Sequence, residues 1–213
     1  MNKIQVIIVI FVLFSSCGIK KNIISTEIKK KSENEDSLAF ELCQIYGLDQ
    51  GIRNKFLWKN DLNLGKLQIT IDTLNFNRIV DFVMKNGYPT KKLLGESNFK
   101  IECVESTALA VLLHNPHRLV KEDIYFNLFV NEVKKGNLKA NTLADVLDKY
   151  YWAKSKNKEK RSVLYGSQFG KPCIQTKEIT NKARKEIGLT PLKDDEFIDC
   201  NSNEEFHILI ERK

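Results

Sequence analysis

The sequence predicts an all-α protein, made of packed helical hairpins around a central buried helix. The segment 101–114 (IECVESTALAVLLH) is apolar without a break from Ala108 to Leu113. A helix that is apolar nearly all round is either a membrane span or the centre of a core, and this run is far short of the ~20 residues a span needs. Several other segments repeat apolar residues every three to four positions, which is typical of helices. The 4 Pro and 10 Gly are few for a turn-rich β-sandwich.

The first residues have the pattern of a secretory signal. Lys3 precedes an apolar run at 4–14 (IQVIIVIFVLF), and two serines lead directly to Cys17. That order is typical of an export signal and is too short for a stable span. The sequence LFSSC resembles a bacterial lipobox, although Phe14 is unusual at its position. In this interpretation residues 1–16 are removed and Cys17 carries the acyl anchor, such as palmitate. An ordinary secreted protein and an uncleaved anchor are the alternatives.

Composition and charge limit the function classes. The chain is 42% hydrophobic and 29% charged, as globular proteins are, and its net charge is +7. Removing residues 1–16 takes away one positive charge, Lys3, and leaves +6. We expect a membrane-anchored lipoprotein of the bacterial cell envelope, facing the periplasm or the exterior. Nucleic acid is not an expected partner there, so the positive charge suits anionic headgroups or a solvated surface.

The N-terminal half divides into a tether and the first helices. Residues 17–36 are polar and charged and predict a tether, and the helical domain is expected over 37–192. Its first helix would be capped by Ser37 and run to about residue 56, with a break compatible with Gly47. The stretch LGKLQITI predicts a short strand. Asp72 then suits the N-cap of a helix over 73–85, and residues 88–95 predict a loop.

The second half begins with the central helix, which ends at His114 because Pro116 cannot continue it. Further helices are predicted over 119–135, over 142–152, and from Thr176 or Thr180 to Ile187. The basic stretch KSKNKEKR and the segment VLYGSQFG between them predict loops. Residues 193–213 form a C-terminal extension of uncertain structure, whose FHILI sequence would suit a minor β-hairpin with LQITI.

Four cysteines remain beside Cys17, and an oxidising envelope permits disulfides between them in three connectivities. Cys43 and Cys103 lie in apolar helical patterns, where a free cysteine behaves as a small hydrophobic residue. Cys173 and Cys200 lie outside such patterns. The sequence alone leaves the pairing open.

Four short motifs occur in order along the chain. They are Asp49-Gln50-x-x-Arg53; Gly87-Tyr88-Pro89-Thr90 with Leu93, Leu94 and Gly95; His114; and Leu147-Asp148-Lys149 followed by Tyr165-Gly166-Ser167-Gln168. With these motifs the chain resembles, over residues 37–192, an uncharacterised bacterial domain family of unknown function whose members often carry a lipoprotein signal. The resemblance implies a mostly helical fold and no particular activity. Lys149 stands where the family tends to have Arg, and the stretch before Tyr165 is longer and more basic.

The same motifs contain the candidate functional residues. The catalytic candidates are His114, Asp49 and Asp148, and the binding candidates are Gln50, Arg53, Tyr165 and Gln168. A histidine beside a carboxylate is the minimum for general-base chemistry, and we hypothesise that Asp49, His114, Asp148, Tyr165 and Gln168 converge in one pocket. The structural alternatives are a capping histidine, an Asp49–Arg53 ion pair on one helix face, and a loop pinned by Tyr165.

The sequence predicts neither a cofactor nor a metal site. His114 and His117 are separated by Pro116, and no third ligand is evident from the spacing. No Gly-rich phosphate loop, GxSxG elbow or HExxH motif is present. We therefore expect a binding module for a small molecule or an envelope protein. The alternative is an envelope hydrolase that uses His114 with Asp49 or Asp148 as the acid–base group.

Overall fold

The structure, a computed structural model, describes residue 27 and residues 29–54, 64–155 and 163–200. Over these residues it is helical, with isolated β-bridges but no strand, which confirms the all-α prediction. No helix in the described part is long and apolar enough to cross a membrane. The predicted signal peptide, Cys17, most of the tether and of the basic stretch, and the FHILI segment lie outside the described residues.

Helix α1 covers residues 29–51 and begins earlier than predicted. Ser37 is therefore within a helix and not at its cap, and the last part of the predicted tether is helical. Ion pairs from Lys29 to Glu33 and from Lys31 to Glu35 stabilise this extra turn at the i, i+4 spacing. The helix also continues through Gly47, so no break occurs there.

Helix α2 (Leu64–Asn86) replaces the short strand predicted for LGKLQITI. The prediction that LQITI forms one strand of a minor β-hairpin is therefore wrong. Asp72 lies inside α2 and does not cap a helix. Isoleucine and threonine lower helix propensity by only a few tenths of a kcal/mol, roughly. Once the buried half of α2 is packed, each added residue gains a hydrogen bond, and this outweighs the local preference for a strand.

The short helix α3 (Lys91–Leu94) lies within the predicted loop, and a second short helix, α4 (Glu96–Phe99), follows it. The hydroxyl of Thr90 caps α3 by accepting a hydrogen bond from the Leu93 amide. Helix α5 (Glu102–His114) follows and ends where predicted. It packs against α2 on one side and against α8 (Ala140–Lys154) on the other. Val104, Ala108 and Val111 of α5 are buried in the shared core, as a central helix requires.

The single helix predicted over 119–135 is two helices, α6 (Pro116–Lys121) and α7 (Asp123–Lys134). They meet at Glu122, whose backbone is extended. Pro116 starts α6 at a position where its missing N–H costs nothing. The next helix, α8, begins two residues before the predicted Thr142 and ends two residues after Trp152. Helix α9 (Lys177–Glu186) completes the set.

All four cysteines form disulfides. Cys43 of α1 pairs with Cys103 of α5, and Cys173 pairs with Cys200. The structure thus selects one of the three connectivities that the sequence leaves open. The second disulfide and a bridge between Cys173 and Ile198 hold residues 193–200 against the chain that precedes α9.

Candidate functional site

The first group of predicted residues gathers around the buried side chain of Asp49, near the end of α1. Its Oδ1 lies 3.0 Å from Nδ1 of His114, at the end of α5. The same oxygen lies 3.3 Å from Nη1 of Arg53, just after the end of α1. Oδ2 accepts a 2.8 Å hydrogen bond from Nε2 of Gln50. Both oxygens of a fully buried carboxylate thus have partners.

Asp72 of α2 adds a second carboxylate to this group. Nη2 of Arg53 donates a 2.6 Å hydrogen bond to Oδ1 of Asp72, while Nη1 donates to the backbone oxygen of Asp49. Asn115, just after α5, donates to the backbone oxygen of Asp72. We call Asp49, Arg53, Asp72 and His114 the Asp49 cluster. It joins three helices that are distant in the sequence.

Burial differs within the Asp49 cluster. The side chain of Asp49 is 0% exposed, whereas those of Asp72, Arg53 and His114 are 14%, 19% and 28% exposed. The two carboxylates and the guanidinium leave a charge of −1 when His114 is neutral. A buried carboxylate is therefore balanced by side chains that reach the surface, which is where a ligand would meet them.

The second group surrounds Asp148 of α8, which is also 0% exposed. Its Oδ1 accepts 2.8 Å hydrogen bonds from the backbone amides of Leu164 and Tyr165. Its Oδ2 has no hydrogen-bond partner. On the other side of the segment, Arg184 of α9 donates to the backbone oxygens of Tyr165 and Gly166. Asp148 therefore ties the 163–170 segment to the core.

Burial raises the pKa of Asp148 to about 6, although the backbone amides of Tyr165 and Leu164 and the nearby side chain of Ser167 lower it. The nearby Asp145 raises it further. The pKa of Asp145 is itself raised by burial, against a hydrogen bond from the backbone amide of Gln168. Close like charges and desolvation both disfavour a second ionised carboxylate here.

The predicted residues thus occupy two hydrogen-bonded groups. His114, Gln50 and Arg53 contact Asp49, and the predicted Asp49–Arg53 ion pair is confirmed. Tyr165 is buried in the core beside Asp148. No hydrogen bond described in the structure joins one group to the other.

Sequence reasoning did not identify Asp72, Asn115 and Arg184 as members of these groups. The sequence predicts Asp72 as a helix cap because LQITI favours a strand before it. Asp72 lies 23 positions after Asp49, and no sequence motif links residues at that spacing. Arg184 lies in a strongly charged helix, KEITNKARKE, where nothing in the pattern separates it from the exposed Lys185.

The arrangement of Asp49 and His114 suits proton transfer or ligand binding. An ionised Asp49 fixes the proton of His114 on Nδ1, which leaves Nε2 as the acceptor. Among the described residues, Nδ1 is the ring nitrogen with a hydrogen-bond partner. Such an oriented histidine at a partly exposed position can accept a proton or a hydrogen bond.

Comparisons with protein-family models, curated proteins and solved structures found no match for this chain. The resemblance to a family of unknown function therefore stays a prediction. The fold and the Asp49 cluster are the basis for the interpretation that follows.

Proposed function

We propose that this is a lipid-anchored protein of the bacterial cell envelope whose helical domain binds a small molecule or an envelope protein at the Asp49 cluster. The observation that carries the proposal is the 3.0 Å contact between buried Asp49 and partly exposed His114. The two side chains come from α1 and α5, 65 positions apart.

The energetic cost of this arrangement supports a binding role. Removing a carboxylate from water is expensive unless charged or hydrogen-bonded partners compensate it. A domain of this size can close the end of a helix with apolar residues instead. Ionisable groups that are held in place and reach the surface are typical of binding and catalytic sites.

The anchor is tested by replacing Cys17 with Ser. The acyl chain would be lost, and we expect the protein to move from the membrane fraction to the soluble fraction. The two disulfides support an oxidising location independently of the signal sequence. Retention of Cys17→Ser in the membrane fraction, with normal expression, would contradict the lipoprotein proposal.

The site is tested with two matched histidine variants, His114→Gln and His117→Gln. His117 lies three positions further on, in α6, outside the Asp49 cluster. Thermal unfolding is measured with a panel of small amines, carboxylates, sugars and peptides. We expect at least one compound to raise Tm of the wild type and of His117→Gln but not of His114→Gln. Compounds that stabilise all three proteins equally would place binding elsewhere, and a panel with no effect would count against this ligand class.

A second candidate function is an envelope hydrolase. It is favoured by the orientation of His114, whose Nδ1 is held by Asp49 so that Nε2 can activate water. Among the hydrogen bonds described for His114, none is to a serine or cysteine. Turnover of p-nitrophenyl acetate that falls at least roughly a hundredfold in His114→Gln and persists in His117→Gln would support this function. Equal turnover in the two variants would exclude His114 as the base.

A further inference from the structure

We infer that the Asp49 cluster is a site for a divalent metal ion of the zinc type, with Asp49, Asp72 and His114 as ligands. In the structure the guanidinium of Arg53 lies against the two carboxylates. This inference rests on the proposed function, since it names the class of ligand that the same cluster takes.

The donor atoms are of the right kind and are close together. One ligand atom from each of Asp49, Asp72 and His114 lies within 4.8 Å of the others. One imidazole nitrogen with two carboxylate oxygens is a donor set that Zn²⁺ accepts, and three protein ligands leave a position for water. The Asp49–His114 contact at 3.0 Å is already near the separation of two ligands on one ion.

Arg53 marks the place of a cation. It lies 2.6 Å from Oδ1 of Asp72 and 3.3 Å from Oδ1 of Asp49, so its positive charge sits between the two carboxylates. Without it these carboxylates form a pair of like charges that need a cation. Arg53 follows the end of α1 and is partly exposed, so its long side chain can turn towards solvent when an ion takes its place.

The surroundings hold the ligands as metal sites require. Gln50 donates to Oδ2 of Asp49 and leaves Oδ1 directed towards His114 and Arg53. Asn115 holds the backbone of Asp72 while its side chain also donates to Val111 in α5. Residues that orient metal ligands by hydrogen bonds contribute to the affinity for the metal, as the ligands do.

A buried amide at the same level of the helix pair is a second observation that points to a ligand. Asn75 is 0% exposed, and neither its Nδ2 nor its Oδ1 has a hydrogen-bond partner. Contacts of Arg53 with Asp72 and of Gln44 with Arg78 set the register of α1 and α2.

From this register we infer that Asn75, midway between Asp72 and Arg78, lies opposite the part of α1 that carries Asp49. Residues three apart share a helix face, so Asn75 and Asp72 lie on the same side of α2. An unpaired buried amide is costly, and a polar ligand or its bound water at this level would satisfy it.

The experiment is a titration of the full-length chain carrying Cys17→Ser, so that no free thiol binds metal. Zn²⁺ alone is added and measured by calorimetry, and Co²⁺ is added in parallel because its visible absorption reports the coordinating atoms. The variants are Asp72→Asn, His114→Gln and Arg53→Gln, with His117→Gln as the matched control. Circular dichroism checks that each variant is folded.

We expect one Zn²⁺ per chain in the wild type and in His117→Gln. Asp72→Asn and His114→Gln should each weaken binding by roughly tenfold or more, as loss of a ligand does. Arg53→Gln should tighten it by roughly tenfold, because the metal no longer competes with the guanidinium. A purely structural arginine would give a less stable protein and no gain in affinity.

Two results would overturn the metal site: no saturable binding in either the wild type or Arg53→Gln, or binding that Asp72→Asn and His114→Gln leave unchanged. The proposed function fails in a different way. If organic ligands still stabilise the wild type and not His114→Gln while Zn²⁺ does not bind, the cluster is a binding site but not a metal site. If Zn²⁺ binds and no organic compound does, the metal inference stands alone.

Discussion

Asp49 and Asp148 are both 0% exposed, yet the protein compensates their burial in opposite ways. Asp49 is surrounded by side chains that reach the surface, two of them able to carry positive charge. Asp148 is held by two backbone amides, and one of its oxygens has no hydrogen-bond partner. The first arrangement keeps a charge available near solvent, whereas the second uses a carboxyl group to fasten a loop.

This difference separates a candidate site from a structural tie. Side-chain partners can move, and they can exchange one ligand for another. Backbone amides cannot, because the fold fixes them. The raised pKa of Asp148 agrees with the second role, since burial, its largest cause, disfavours the charged form of this carboxyl group.

The comparison is tested most strongly by replacing each aspartate with asparagine. In Asp49→Asn the new NH2 group faces the hydrogen-bond donors that now bind the carboxylate, such as Gln50. The negative charge opposite Arg53 is also lost. We expect the free energy of unfolding at pH 7 to fall by about 3 kcal/mol, as when one partner of a buried ion pair is removed. In Asp148→Asn the acceptor for Leu164 and Tyr165 remains, so the change should stay below about 1 kcal/mol or favour the folded state.

Urea unfolding followed by circular dichroism measures both values. Asp36→Asn, a substitution at the N-terminal part of α1 where Asn98 donates to the carboxylate, serves as the control. Equal losses for Asp49→Asn and Asp148→Asn would show that ionisation does not distinguish the two regions.

The pH dependence of stability is the next largest effect. The pKa of Asp148 is about 6 in the folded chain, against an ordinary value of 3.8. A raised folded pKa means that the native state binds the proton more tightly than the unfolded chain. The contribution of protonated Asp148 to the free energy of unfolding is therefore fully present below about pH 4 and is lost as the pH rises through 6.

Asp148→Asn does not titrate, so its stability relative to the wild type should increase by about 2 kcal/mol between pH 4 and pH 7. Most of this change should fall below pH 6. Comparing the two proteins removes the contribution of the other carboxylates, because these titrate in both. Asp145 is included as long as its titration is the same in both proteins. A difference independent of pH would mean that Asp148 is ionised in the native state throughout this range.

The fold was predictable because apolar periodicity reports burial directly. The segment 101–114 is apolar enough to identify α5 as central, and Pro116 fixes its end. The strand predicted for LGKLQITI was wrong because local preference favoured it, whereas these residues, most of them exposed, extend α2 from its buried half. Helix α1 begins before Ser37, where i, i+4 ion pairs such as Lys31–Glu35 stabilise its first turns.

The site was predictable only in part. His114 and Asp49 stood out because a helix end and an i, i+4 pair are visible in the sequence. Asp72 was not visible, because its place beside Arg53 depends on how α1 and α2 are aligned. The division of the candidates into two groups likewise depends on which helices pack together, and no spacing along the chain records this.

Lys149 provides the smallest test and belongs to the Asp148 region. Its Nζ lies 5.2 Å from the ring centre of Trp152 and 5.3 Å from that of Phe169, so it links α8 to the 163–170 segment. Lys149→Met should lower the free energy of unfolding by about 0.5–1 kcal/mol, and Lys149→Arg should preserve it, because arginine also stacks on aromatic rings. Lys154→Met, at the exposed end of the same helix, should have a smaller effect. If Lys149→Met and Lys154→Met were equivalent in urea unfolding, the contacts of Lys149 with the aromatic rings would not contribute to stability.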